Sequence, residues 1–391
     1  MAANSGPVLI VTSSAIWTDM DFGLDETQQL LKNSAADFLD RECPTSHVRA
    51  MESDALGYDP ALWSKMASQG WMGLALPEEH GGAGLGFVEL ALLLEETGRV
   101  LLPSPFFATA VLAAPAIADG ATGGQKREWL PRLAGGSLIA TAAIAEPTGG
   151  WDAVGIQATA RPNGSGFALS GAKLYVPFAN AAQLVLVAAR LSDTGSIALF
   201  AVDKDASGLA ITSLKSIGSE RISGVVLQDA PGVLLGGPTG GDAVVADLVA
   251  RGAVGGCSWA LGAMQRILDM TIEYAGRRTQ FGKPIGSLQA IQHRCADMAL
   301  DVEMARCLTY AAAQAVVTGG DGGAEAAMAK SFVADASRRV SAAAHQVFGA
   351  IGFTKEHDLQ LYTRRLKAWE PVFGSAALQR ERVAEAMGVS R

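Results

Sequence analysis

Cysteine is scarce in this chain: Cys43, Cys257, Cys295 and Cys307 are the only four in 391 residues, with no CxxC pair and no metal-ligand spacing. That excludes a disulfide framework and a thiolate metal site, and leaves four reduced, mostly buried thiols as the expectation. Histidine is nearly as thin, five residues with no HxxxH or HExxH pattern, so no metal centre is expected. Charged residues make up only 18% and sum to a net charge of -8, with no Lys/Arg-rich run, which excludes a nucleic-acid binder. The apolar run PVLIVTSSAIW near the N-terminus has no basic flank and is too short to span a bilayer. Later apolar segments are interrupted by charge or glycine, so neither a signal peptide nor a membrane span is expected, and the expected location is the cytoplasm. Residues 1–19 read as a disordered or misassigned extension.

What is abundant is alanine and helical periodicity. Hydrophobic residues reach 49%, and the length allows two or three domains around a large core. From 20 to 135 the pattern is helical: LDETQQLLKNSAADFLDREC has an acidic first turn and apolar residues three and four apart, and FVELALLLEETGRVL stops at two prolines. From 136 to 237 the period changes to two, with GFALSGAKLYVPFA, LVLVAARL and SIALFAVD separated by turn residues, which predicts a compact β domain. From 238 to 391 long Ala-rich amphipathic segments return, about 242–277, 287–317 and 323–348, which predict an antiparallel bundle. The fold class is therefore α+β, ordered helical, β, helical, with clefts at the junctions.

Four segments carry candidate chemistry. AIAEPTGGWD, ending at Asp152, has paired glycines whose N–H groups can serve an anionic or carbonyl oxygen. AKLYVPFAN presents Tyr175 and Pro177 on a strand. YAGRRTQFGKPIGSLQAIQHRCAD sets Arg277 and Arg278 beside a helix predicted to open at Ser287, an arrangement that suits phosphates. HQVFGAIGFTKEHDLQLYTRRLKA follows with Gln346 about 68 residues after Arg278.

Together these segments, with PEEHGGAGLG in the first domain, closely resemble the acyl-CoA dehydrogenase family over about residues 20 to 390. The resemblance implies a helical first domain, a β-barrel or sandwich and a C-terminal four-helix bundle. It implies FAD, an acyl-CoA substrate desaturated between its α and β carbons, electron-transfer flavoprotein as acceptor, and a homo- or hetero-tetramer. By the family pattern, Ala145, Thr148 and Trp151 stand in the loop on the flavin ring, and Tyr175 and Pro177 in the strand that covers it. Arg278 and Phe281 stand at the pyrophosphate and Gln289 along the cofactor. Gln346, Gly349 and Ala350 receive the adenine end from a neighbouring subunit. Gly374 lies in the loop whose N–H groups polarise the thioester carbonyl.

This sequence departs from the family where α-proton removal needs a carboxylate. In one branch that Glu stands where this chain has Phe373, before Gly374; in another it stands ten positions before the Gly of G-x-x-Q, which is Gly252 before Gly262. Three readings remain open. Glu370 or Asp247 reaches in; the chain is the base-lacking subunit of a heteromeric enzyme; or the fold runs flavin oxidase or monooxygenase chemistry. A non-catalytic subunit binding CoA or FAD is the alternative from another class. The small residues from Gly252 to Gly262 also hint at room for an acyl group bulkier than a straight chain.

Overall fold

The computed structural model describes residues 23–147, 150–164, 166–238, 240–317 and 323–389. The expected extension at 1–19 and Thr148 lie outside the described residues. The first domain packs α1 (Glu26–Glu42), α2 (Thr45–Ser53), α3 (Pro60–Ser68), α4 (Phe87–Arg99), α5 (Phe107–Gly120) and α6 (Gly123–Ala134). Local chemistry sets the starts. Asp25 and Gln28 form a reciprocal capping box on α1, and Asp59 accepts from Ala61 N at 2.8 Å with Pro60 in the first turn of α3.

The middle domain contains β1 (Ala140–Ala143), β2 (Thr159–Asn163), β3 (Gly166–Pro177), β4 (Leu184–Leu191), β5 (Ile197–Asp203), β6 (Leu209–Leu214) and β7 (Ile222–Leu234). Strands β4, β2, β3, β7 and β5 pair in that order, and β5 pairs back to β4, so the sheet closes into a barrel. β1 adds parallel to β4 and β6 antiparallel to β7. Leu169, Val185, Val187, Phe200 and Val225 fill the interior. Short β1 and the largely exposed, Pro-bearing β2 carry too little alternation to be read from sequence.

α7 (Gly241–Arg277), α8 (Gln289–Val317), α9 (Gly323–Phe348), α10 (Leu359–Trp369) and α11 (Ala376–Ala386) complete the chain. α8 begins at Gln289 rather than Ser287, because Pro284 leads into a single 3-10 turn, Ile285–Ser287, and Leu288 is extended. α7 is long and apolar enough to pass for a membrane span, but 67% of its apolar window is buried, as befits a core helix. Of the four cysteines only Cys43 and Cys257 are fully buried, and all four are free.

The glycines of α7 close space rather than open it. A Cβ on Gly262 would lie 1.8 Å from the Glu95 carbonyl, and one on Gly98 1.8 Å from that of Trp259, so α4 and α7 meet backbone to backbone. The expectation of extra acyl room along this run is corrected accordingly.

The same crossing buries Glu95, which accepts from Lys32 Nζ at 2.9 Å and pairs with Arg306 and Tyr310. Arg306 also donates to Gln265 at 2.9 Å, tying α1, α4, α7 and α8 together. Burial pushes the Glu95 pKa up, but the Arg306 and Lys32 charges outweigh it and hold it at about 2. The stability this carboxylate contributes is therefore present above its unfolded pKa of about 4.3 and is lost as pH falls through about 2. Replacing Arg306 by Met leaves Glu95 with Lys32 and Tyr310 and is expected to cost about 1.5–3 kcal/mol, the loss of a hydrogen bond to a charged group, read from the shift in denaturant unfolding at neutral pH.

Candidate active site

A cavity of about 480 Å³ opens where the barrel meets the helical domains. Its walls come from the α4–α5 connection, the end of β3, the β6–β7 turn, α7 and the segment from α10 to Phe373. Backbone strain clusters at it, which makes it the candidate site. Seven non-glycine residues among those described have left-handed backbone, and five of them line this cavity: Leu101, Tyr175, Phe178, Ser219 and Phe373. Such conformations persist only where surrounding structure over-determines them.

Phe373 is the centre of the constellation. Its φ is 58°, its ring is 3% exposed, and Gln379 Nε2 donates to its carbonyl at 2.6 Å. The ring packs on Trp151 at 4.7 Å and Phe107 at 6.2 Å between centroids. On the opposite side it occupies the space above Gly252, where a Cβ would come within 2.5 Å of Cζ. The two positions at which the resemblance expects a base, Phe373 and Gly252, thus converge on one point of the fold, and a phenyl ring fills it.

Neither substitute carboxylate reaches this point. Glu370 is held by Lys367 at 2.8 Å and faces Arg338 at 3.6 Å, and Asp247 is held by Arg251 at 2.7 Å; neither lines the cavity. Both expectations are corrected: each carboxylate is neutralised by a cation on its own helix side. Gly374 is corrected as well, because its N–H is already bonded to Pro371 O at 3.1 Å.

Among the described residues lining the cavity, the one carboxylate is Glu220, which the sequence gave no reason to single out. Burial pushes its pKa up against the pull of Ser216, whose hydroxyl donates to it, and of Arg365. Arg365 is buried beside it, donating to Leu101 O and Gly218 O, each at 3.1 Å.

The other sequence-predicted residues divide into two groups. Trp151, Tyr175 and Pro177 line the cavity. Their loop is pinned from below: Lys173, fully buried, donates to Glu146 at 2.6 Å and Ile144 O at 3.1 Å, and Glu146 accepts the N–H groups of Gln157 and Ala158 at 2.9 Å each. Ala145 is buried in this frame, its carbonyl accepting from Leu174, and does not line the cavity. Arg278, Phe281, Gln289, Gln346, Gly349 and Ala350 are exposed at one end of the bundle, away from the cavity wall. There Tyr274 stacks on Phe348 at 4.4 Å, and Ala275, Ile285 and Val347 join the end of α9 to the turn bearing Phe281, which is 88% exposed with φ 52°. Free guanidinium, amide and glycine groups on this surface fit the phosphates and adenine of a dinucleotide. At the cavity end the wall offers the aromatic faces of Trp151 and Tyr175, and Pro177 carries no hydroxyl to bond a flavin.

Comparison with known proteins adds three domain matches: acyl-CoA dehydrogenase N-terminal domain over residues 25–137, middle domain over 141–230 and C-terminal domain over 240–388. The chain is 32% identical to a probable acyl-CoA dehydrogenase, YngJ, of Bacillus subtilis, covering 92% of this chain and 98% of that one. Among solved structures it is similar to a Tcur3481–Tcur3483 steroid ACAD, with TM-score 0.85, 31% identity and coverage of 93% and 98%. The ChsE4–ChsE5 complex of Mycobacterium tuberculosis gives TM-score 0.87, 29% identity and coverage of 95% and 100%.

The packing at Phe373 makes a direct prediction. Gly252→Ala is expected to cost about 1–3 kcal/mol through overpacking. In a Phe373→Ala background the same change becomes neutral or stabilising, because the ring is gone and Ala favours the helix. Thermal unfolding of the four proteins in a double-mutant cycle checks this; equal effects in both backgrounds would place the ring elsewhere.

Proposed function

Because this chain belongs to the acyl-CoA dehydrogenase family, a family of FAD flavoproteins, we propose that it is the base-lacking subunit of a heteromeric acyl-CoA dehydrogenase. The observation that carries this reading is the meeting of Phe373 with Gly252. Both places from which a carboxylate would take the α-proton are closed by one ring, and Glu370 and Asp247 are each held in an ion pair outside the cavity wall. The family's FAD supplies the hydride acceptor for the β-carbon when bound. Arg278 and Phe281 would meet the pyrophosphate of the cofactor, Gln346 and Gly349 would receive the adenine end from a neighbouring subunit, and the cavity would hold the acyl group. Proton removal falls to a homologous subunit with Glu at the place of Phe373, and electrons leave to electron-transfer flavoprotein. Two of the similar solved structures bear paired protein names, in keeping with a two-subunit assembly.

A self-sufficient enzyme is the second reading, favoured by the one observation of Glu220 in the cavity wall. Purifying the chain alone and with a base-bearing homologue, then measuring the FAD:protein ratio and flavin bleaching by an acyl-CoA panel, separates the two. The expected result is no bleaching by the chain alone and turnover by the pair. Turnover by the chain alone, abolished by Glu220→Gln, would establish the second reading instead.

A further inference from the structure

His345 and His357 meet at the connection between α9 and α10, and the fold leaves neither of them a place for a second proton. His345 stands in the last turn of α9, and His357 two residues before α10. Both rings are half-buried. His345 stacks on Phe353 at 4.4 Å between centroids, and His357 meets Phe348 edge-on at 4.7 Å. Each ring thus grips one end of the 3-10 turn Gly349–Phe353.

Hydrogen bonding fixes where the protons sit. The Thr363 hydroxyl donates to Gln360 O at 3.4 Å, so His345 Nε2, 3.2 Å from that hydroxyl oxygen, is the donor to it. Nδ1 of His345 is left as a bare lone pair, buried against Gly352 and without a partner among the described residues. His357 Nδ1 accepts the N–H of Leu359, the first residue of α10, at 3.1 Å. A second proton would therefore find no acceptor on His345 and would face another N–H on His357.

The first domain reaches the same place. Arg49 of α2 donates to Lys355 O at 2.6 Å and Glu356 O at 3.1 Å, and pairs with Asp358 at 2.8 Å. It ties down the segment after the turn and sets a fixed cation beside His357. Burial holds both rings below the usual histidine range. The neighbouring ring acts the same way on His345, while Asp358 pulls His357 up and Arg49 pushes it down. From α7 the facing group is Tyr274, stacked on Phe348 at 4.4 Å.

We propose that His345 and His357 form an acid-sensitive latch, closed over the turn Gly349–Phe353 and the segment to Asp358 when both are neutral and released when they are protonated. The turn carries Gly349 and Ala350, and Gln346 adjoins His345, so the latch governs the shape of the surface that presents these groups at the end of the bundle. The inference is independent of whether the chain takes a proton from an acyl-CoA. Its sign follows from linkage: a histidine held neutral in the closed turn takes its proton first in the open one. The closed turn is fully favoured above about pH 6.5, the ordinary histidine value, and loses favour as pH falls through the depressed range.

Hydrogen–deuterium exchange of the full chain tests this, with cofactor as purified and with its partner subunit where it has one. Amides 350–359 are followed between about pH 7.5 and 5.5 and corrected for the intrinsic pH dependence of exchange. Their opening is expected to rise about five- to tenfold, tenfold per pH unit being the ceiling for one proton, while the amides of β4 stay unchanged. His357→Asn keeps an acceptor for Leu359 N–H and cannot titrate, so it is expected to cut the rise to about two- to threefold. Adding His345→Phe, which keeps a ring on Phe353, is expected to flatten it. A rise of less than about twofold in the native protein, an equal rise in β4, or an undiminished rise in His357→Asn would each overturn the latch.

Discussion

The bare face of α7 is the constraint on which the rest of this molecule depends. Gly262 lets α4 cross in backbone contact, Gly256 receives the edge of Trp369, and Gly252 receives the ring of Phe373. Each interior glycine costs a helix about 1 kcal/mol relative to alanine. Each buried aromatic side chain contributes about 1.5–3 kcal/mol, so the exchange favours the packed arrangement. Glu95, on the same α4, is buried beside this crossing and pairs there with Arg306 of α8, which also bonds Gln265 of α7. Core packing, the ionic tie and the shape of the cavity thus share one cause.

Much of the fold was legible because periodicity and punctuation agree along most of the chain. The barrel strands β3, β4 and β5 alternate or run apolar between turn residues, and the long helices carry alanine-rich faces of sufficient length. What failed was local. β1 and β2 are short, and their positions are decided by pairing with β4 rather than by their own residues. The start of α8 moved by two residues because Pro284 imposes a separate turn.

The site was legible in part, and the division is physical. The loss of a carboxylate at 373 and 252 can be counted from sequence, but that the two positions touch cannot, since they lie on elements far apart in the chain. The glycine run was read as space because sequence shows which side chains are missing and not what fills their place. Glu220 gave no signal because a carboxylate in a turn is an ordinary surface residue until the β6–β7 turn packs against α10.

Strain sharpens the meaning of the missing base. An aromatic residue held at φ near 58° is disfavoured by its backbone, and nothing about a phenyl ring as core filling requires that conformation. The turn after α10 is nonetheless kept in it by Gln379, and Lys330 secures the carbonyls at its start. Lys330 itself is costly: burial pulls its pKa down from the usual lysine range to about 7. The strained turn and the lysine buried beneath it both support the segment that carries Phe373. With a phenyl ring at the expected base positions, two tasks that such a site ordinarily combines come apart. Holding a ligand in a fixed pose needs the scaffold, whereas taking its proton needs the carboxylate. On the reading proposed above, this chain has kept the first task and ceded the second.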